Sequence, residues 1–365
     1  MTVCPHLATG PAWDNDCQDG VFRLRATQPY FDAQLDSWVL SRYVDVTAAF
    51  HSPQLVVVGS NNKERNPQVD EAARLRMRAE TREALSSVKL RSWRKQMLQH
   101  ARELVAQFDH KQPVDLIRDY AQPLCLELAV LATGPDTVSV RDLTALAAQV
   151  SLAAAEPLDV ELKSQSKAAT AELRPFFTRG PEPLRESGFV ALSQTLVSLL
   201  GNAWFALASY PQEWRRLHAQ PLLVARGVEE LQRFAGLTRL LFRRALADIN
   251  LNGISIRKGE RVVLCLLPAN RDPERYPDAH ELSVMRTRIG HVNLGAGLHA
   301  CVGAPLVRVA AIAATMALVE RFSTVELIEP VEWRGGSGFI SPIALPVLLK
   351  EITEKVETGQ ERHGL

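Results

Sequence analysis

The stretch FVALSQTLVSLLGNAWFALASYPQEW (189–214) constrains this chain more than any other part of it. Wound as a helix it is apolar almost all round, so no face is left for water and other elements must enclose it. Ser193, Gln194 and Thr195 interrupt the run near its middle, and Pro211 marks its end. Enclosing such a helix takes a sizeable core. A chain of 365 residues, 46% of them apolar, can supply one, and length alone allows two domains or one large one.

The surroundings are helical as well. Apolar residues recur at helical spacing over 70–84, 91–108, 114–132, 139–155, 160–176, 185–209, 211–218 and 221–234, and again from about 304 to 322. Strand-like runs are short: VFRLRA (21–26), WVLSR (38–42), QLVVV (54–58) and GISIRKGERVVLCLL (253–267), the last reading as two strands that turn at Lys258-Gly259. The expected architecture is one mainly α domain over 1–365, helical from about 70 to 247, with small β-sheets near the N-terminal side. Residues 268–303 are rich in Pro, Asp, Asn and Gly, and a loop that long inside a compact protein is usually functional.

Composition removes several classes. Lys and Arg number 42 against 41 Asp and Glu, a net charge of +1, which leaves no electrostatic footprint for nucleic acid. The N-terminus MTVCPHLATGPAWDNDC lacks a basic start followed by an apolar run, and the apolar stretches near 196–209 and 304–319 are short for a bilayer span. These features predict a cytoplasmic protein with no membrane partner. The five cysteines, Cys4, Cys17, Cys125, Cys265 and Cys301, are odd in number, widely spaced and without a C-x-x-C. A disulfide framework or structural zinc site is therefore not expected. Cys125 and Cys265 lie in apolar runs and read as inert core residues.

Cys301 stands apart. It lies in GAGLHACVG (295–303), among three glycines and two residues after His299, before an amphipathic helix whose face is Leu306, Val309, Ala310, Ala313 and Ala317. Glycine at that density marks a backbone that bends tightly or lies against something. A sulfur near a helix N-terminus feels the positive end of the dipole, which favours thiolate over thiol. Cys301 is either a small core residue or a ligand. Gly297 and Gly303 would let the backbone approach a flat, bulky group, and His291 and His299 could bind its anionic substituents.

The longer segment NLGAGLHACVGAPLVRVAA (293–311) resembles the haem-binding loop of the cytochrome P450 family, of the bacterial soluble kind. The match rests on Gly295, Gly297, His299, Cys301 and Gly303, with Leu294 where the family has an aromatic. Further segments follow in the family's order. EELQRF (229–234) matches its Glu-x-x-Arg motif at Glu230 and Arg233, PANRDPERYPDAHELSVMRTR (268–288) its segment before the haem loop, and SWVLSRYVDVTAAF (37–50) its first sheet. EAARLRMR (71–78) resembles its His-x-x-x-Arg, with Arg76 kept and Ala72 in place of the His. RRALADINLNGISIRKGERV (243–262) points to Arg243 as a propionate ligand.

The resemblance implies the P450 fold, with haem b (iron protoporphyrin IX) between a central distal helix at about 185–209 and the haem loop at 291–304. It implies the Cys301 thiolate as iron ligand, Arg76, Arg243, His291 and His299 on the propionates, and Leu294, Gly295 and Gly297 against the haem. A buried Glu230–Arg233 pair is expected, with Arg286 as its third member. In the family register, Thr195 takes the place of the oxygen-contacting Thr, Gln194 replaces the acid before it and Leu192 replaces a Gly that leaves a groove. A carboxylate passes protons and an amide at neutral pH does not.

Three functions follow. The first is a monooxygenase that oxidises a small, largely apolar organic molecule with dioxygen through a modified proton relay at Thr195 and Gln194. The second is an atypical haem-thiolate enzyme that uses peroxide or catalyses a rearrangement or dehydration. The third is a non-catalytic haem protein that binds a ligand or senses a gas. The substrate region is short for the family, with SLAAAEPLDVEL (151–162) and VVVGSNNKERNPQ (56–68) as candidate pocket walls. Residues 74–95 carry Arg74, Arg76, Arg78, Arg82, Lys89, Arg91, Arg94 and Lys95 against Glu80 and Glu83, a face suited to an acidic ferredoxin or flavodoxin served by its reductase.

Overall fold

The computed structural model describes residues 28–57, 67–109, 111–136, 140–179, 181–287 and 289–351. The strand-like run at 21–26 and most of the candidate wall at 56–68 lie outside them. In chain order, β1 (Tyr30–Asp32) and β2 (Ser37–Leu40) precede α1 (Tyr43–His51) and β3 (Leu55–Val57). Then come α2 (Pro67–Ala84), α3 (Ser87–Ala106), β4 (Val114–Asp115) and a π-helical turn (Leu116–Ala121) that runs into α4 (Gln122–Thr133). A packed pair, α5 (Val140–Ala155) and α6 (Val160–Leu173), leads to α7 (Arg185–Val190) and α8 (Leu196–Ser209), which a π-turn (Ala191–Thr195) joins into one helix. The chain continues through α9 (Pro211–Ala219), α10 (Val224–Phe234), β5 (Leu240–Ala245), β6 (Ile249–Leu251), β7 (Ile254–Ile256), β8 (Arg261–Cys265) and α11 (Leu266–Asn270). After the cysteine loop it ends in α12 (Ala304–Arg321), β9 (Thr324–Leu327), β10 (Trp333–Gly335), β11 (Ile340–Pro342) and β12 (Pro346–Lys350). The fold is mainly α with small sheets, as the sequence predicts.

The apolar helix is enclosed. Every residue of α8 from Leu199 to Ala208 is buried. Tyr120 stacks on Trp204 at 5.2 Å between centroids, and the Trp204 Nε1–H donates to Thr315 Oγ1 at 3.2 Å on α12. Gly201 permits the closest approach: a Cβ there would stand 2.6 Å from Ile117 Cδ1. Among the described residues one helix, Arg185–Ser209, is long and apolar enough to cross a membrane, with 72% of its most apolar window buried inside the protein. The expectation that this stretch is too short for a span is corrected, because 196–209 is only part of a longer helix. Its burial marks it as a core element.

Two sequence readings of the sheets change. The helical block stops earlier than 247, because LLFRRA is strand β5, paired with β8 on one side and β3 on the other. Phe242 is the one strand-favouring residue in this run, and two-sided pairing overrides the local signal of the rest. The sheets are also not confined to the N-terminal side. The five-stranded sheet β1-β2-β8-β5-β3 draws strands from both halves of the chain, and β4-β12-β9 is closed by the C-terminal strand. The turn between β7 and β8 falls where expected, with Gly259 at φ +90°.

Candidate functional site

The loop before α12 is built from short hydrogen bonds. The Cys301 N–H donates to Leu294 O at 2.7 Å, the Gly295 N–H to Val292 O at 2.9 Å and the Val292 N–H to Asn270 Oδ1 at 2.8 Å. Gly295 and Gly297 hold φ of +68° and +55°, which favour glycine. A Cβ at Gly295 would stand 2.4 Å from His299 O, and one at Gly297 would stand 2.7 Å from His51 Cδ2. Cys301 is exposed, whereas Cys125 and Cys265 are buried. Burial pushes the Cys265 thiol up to about 12 and the Cys125 thiol higher still, so neither offers a thiolate.

On the central helix the π-turn coincides with the polar interruption. The Leu196 N–H reaches back five residues to Ala191 O. Such turns often accompany functional sites. Ala191 is exposed, and Gln194, Thr195 and Ser198 are half-buried, so one open face runs along the helix. Thr81, Thr133 and Thr170 each donate to the carbonyl four residues earlier, at 2.7, 2.6 and 2.7 Å, and Thr195 takes no such partner. Leu192 lies outside that open face. It is 6% exposed and packs in the main core.

The four predicted propionate ligands are placed differently from one another. Arg243, on β5, is 4% exposed; its Nη1 donates to Phe242 O at 3.0 Å, while its buried Nε has no hydrogen-bond partner. Burial pushes this guanidinium down to about 10, and no carboxylate pairs with it among the described residues. His299 is half-buried within the loop. Arg76 is exposed on α2, and the α2 side chain that touches the loop is Arg78, whose Nη1 donates to Ala300 O at 2.7 Å. Two positions on a helix differ by more than half a turn, so Arg78 and Arg76 point to different sides. His291 is not turned to an anion site. Its side chain, 2% exposed, has Nε2 3.4 Å from Glu229 Oε2.

The Glu230–Arg233 pair forms as predicted, with both side chains fully buried. Arg233 donates from Nε to Glu230 Oε2 and from Nη2 to Oε1, both at 2.8 Å. Its remaining donors go to the carbonyls of Asn270, Ala279 and Glu281 at 2.8–2.9 Å. Arg286 completes the group, Nε to Glu230 Oε1 at 3.1 Å. Sequence reasoning missed Arg78, Asn270, Glu229 and Arg308. The tandem Glu229-Glu230 was the one visible signal among them.

Of the two candidate walls, 151–162 is described. Its turn is clasped by the Gly-rich tip between β10 and β11: the Gly338 N–H donates to Ala155 O at 2.8 Å and the Ser337 N–H to Glu156 Oε2 at 3.2 Å. In this turn Leu158 and Val160 are exposed. On α2 and α3, Arg82, Lys89, Arg91, Arg94 and Lys95 are exposed and make no ion pair among the described residues.

The family model "Cytochrome P450" matches residues 211–332. Nocardicin C N-oxygenase of Nocardia uniformis subsp. tsuyamanensis is 28% identical over an alignment covering 91% of this chain and 95% of that protein. The cytochrome P450 monooxygenase PikC of Streptomyces venezuelae is 38% identical over 36% of this chain and 32% of its own length. The solved structure of P450BioI with an acyl carrier protein ligated to hexadec-9Z-enoic acid superposes with a TM-score of 0.80 at 21% identity, covering 93% of this chain and 98% of that one. Together these similarities support a bacterial cytochrome P450. It is an oxidoreductase of the monooxygenase kind, and its cofactor is haem b. The residues present fit that group. Cys301 offers an exposed sulfur on a glycine-bent loop, and Arg243 offers a buried cation whose Nε lacks a partner and suits a propionate.

Proposed function

We infer that the protein oxidises a small, largely apolar organic molecule by monooxygenation, with Cys301 as the iron ligand. The observation that carries this reading is the exposed Cys301, whose backbone N–H donates to the Leu294 carbonyl in a loop anchored by buried Val292 and Asn293. A cysteinate-ligated haem supplies the oxidising power, the thiolate pushing electron density that favours O–O cleavage. Arg243 and His299 bind the propionates, with Arg76 able to approach from the exposed side of α2; Leu294, Gly295 and Gly297 form the backbone against the haem. Thr195 and Gln194, on the open face of the central helix, face the reaction. Thr195 can give and take a proton at its hydroxyl, while the Gln194 amide holds water in place without passing protons itself.

Electrons come from a separate acidic ferredoxin or flavodoxin with its reductase. Arg82, Lys89, Arg91, Arg94 and Lys95, exposed and without an ion pair among the described residues, support this, since complementary charge steers encounter. The enzyme works in the cytoplasm. A second reading, chemistry that needs no acid relay, is favoured by Gln194 itself.

The test is the spectrum of the dithionite-reduced protein with carbon monoxide. A strongly red-shifted Soret band is expected for the natural chain and should vanish in Cys301→Ala. A variant that keeps the thiolate-type band sinks the ligand assignment.

A further inference from the structure

α10 carries two adjacent glutamates, and each serves a different part of the molecule. Glu230 is committed to Arg233 and Arg286. Glu229, about 100° away around the helix, takes Arg308 of α12 through two parallel bonds, Nε to Oε1 at 2.7 Å and Nη2 to Oε2 at 3.0 Å. Such a fork is the strong geometry for a carboxylate. The same carboxylate faces His291 Nε2 at 3.4 Å, long for a hydrogen bond but close for an electrostatic contact. The other ring nitrogen, Nδ1, accepts the Asn293 N–H at 3.2 Å, which leaves the ring proton on Nε2, toward Glu229. One carboxylate therefore joins α10, α12 and the first residue of the cysteine loop.

The following residues transmit that anchoring. Asn293 Oδ1 accepts the Thr238 N–H at 3.3 Å, and a Cβ at Gly236 would stand 2.4 Å from this oxygen, so Asn293 has little room to shift. The next carbonyl, on Leu294, accepts the Cys301 N–H at 2.7 Å. Any displacement at His291 reaches the cysteine within a few bonds.

We propose that Glu229 is a positioning residue for the cysteine: by gathering His291 and Arg308 it fixes the start of the loop against α12 and sets how firmly Cys301 holds its ligand. The proposal rests on the reading of Cys301 as the haem ligand.

Three variants of the full, haem-loaded chain separate the parts. Glu229→Gln removes the charge at nearly constant shape. His291→Asn keeps an acceptor near Asn293 but no longer reaches Glu229. Arg308→Lys keeps the charge and loses the fork, the mildest change should the others fold poorly. Three readouts apply: decay of the thiolate-type band of the carbon monoxide complex, haem transfer to apomyoglobin, and the thermal midpoint. The band should decay roughly fivefold to tenfold faster in Glu229→Gln and His291→Asn, the range that loss of a charge-assisted bond allows. The double variant should be no worse than the worse single one, because both break one connection, and Arg308→Lys should fall between. Decay at the natural rate overturns the proposal. So does decay that merely tracks the thermal midpoint as in a core control, Val319→Ala, which would make Glu229 structural only. A natural chain that never shows the band removes the Cys301 reading and the proposal with it. A natural chain with the band and indifferent variants removes the proposal alone.

Discussion

Arg243 is buried without a carboxylate partner among the described residues. A guanidinium that is 4% exposed, with an unpartnered Nε, costs the polypeptide stability unless an anion reaches it. Arg243→Met should therefore stabilise the haem-free protein by about 1–3 kcal/mol while speeding haem loss. Thermal melts of the haem-free chain and haem transfer rates read the two effects, and a fall in both would mean that the protein alone holds Arg243. Glu229 gives a signed pH prediction. Burial by itself would raise its carboxyl, but His291 and Arg308 outweigh burial and hold it at about 2, against an ordinary 4.5. A carboxyl lowered in the folded state contributes stability fully above pH 4.5 and loses it as pH falls towards 2. Urea unfolding across that window should show a shallower decline in Glu229→Gln than in the natural chain. The Glu230–Arg233 pair was legible in the sequence because it sits in a dense local motif. His291 was misread, since a histidine beside a glycine loop carries no local sign of the glutamate on another helix that claims it.

At the scale of elements, the central helix joins the sequence reading to the chemistry. Its apolar run predicted burial, and its polar interruption became a π-turn with an open face of Ala191, Gln194, Thr195 and Ser198. If Gln194 stands where a relay acid would, Gln194→Glu should raise product formed per electron, roughly tenfold or more where proton delivery limits. Thr195→Ala should divert electrons to free peroxide. Assays of product, peroxide and reductant consumed separate these outcomes, and unchanged coupling in Gln194→Glu would remove Gln194 from proton delivery. Leu192 illustrates what periodicity alone could not give. Which side of a helix becomes a groove depends on its neighbours, and they bury Leu192 in the core. Strand β5 makes the same point, because two-sided pairing with β8 and β3 overrode a run that read as helix.

At the scale of the molecule, Arg82, Lys89, Arg91, Arg94 and Lys95 of α2 and α3 are exposed on a chain of net charge +1. If these residues receive an acidic electron donor, the second-order rate of reduction should fall steeply with ionic strength, and Arg91→Glu with Lys95→Glu should flatten that dependence. A salt-independent rate would place docking elsewhere. The sequence by itself determined the mainly α class, the buried central helix, the cysteine loop and the Glu230–Arg233–Arg286 group, because helical periodicity, glycine spacing and short motifs are written in neighbouring residues. The tertiary structure alone decided that Arg78 rather than Arg76 meets the loop, that Glu229 joins α10 to His291 and Arg308, and that the C-terminal strand completes a sheet with β4 and β9. Those contacts join residues far apart along the chain. Their partners are chosen by packing and charge, which no local pattern records.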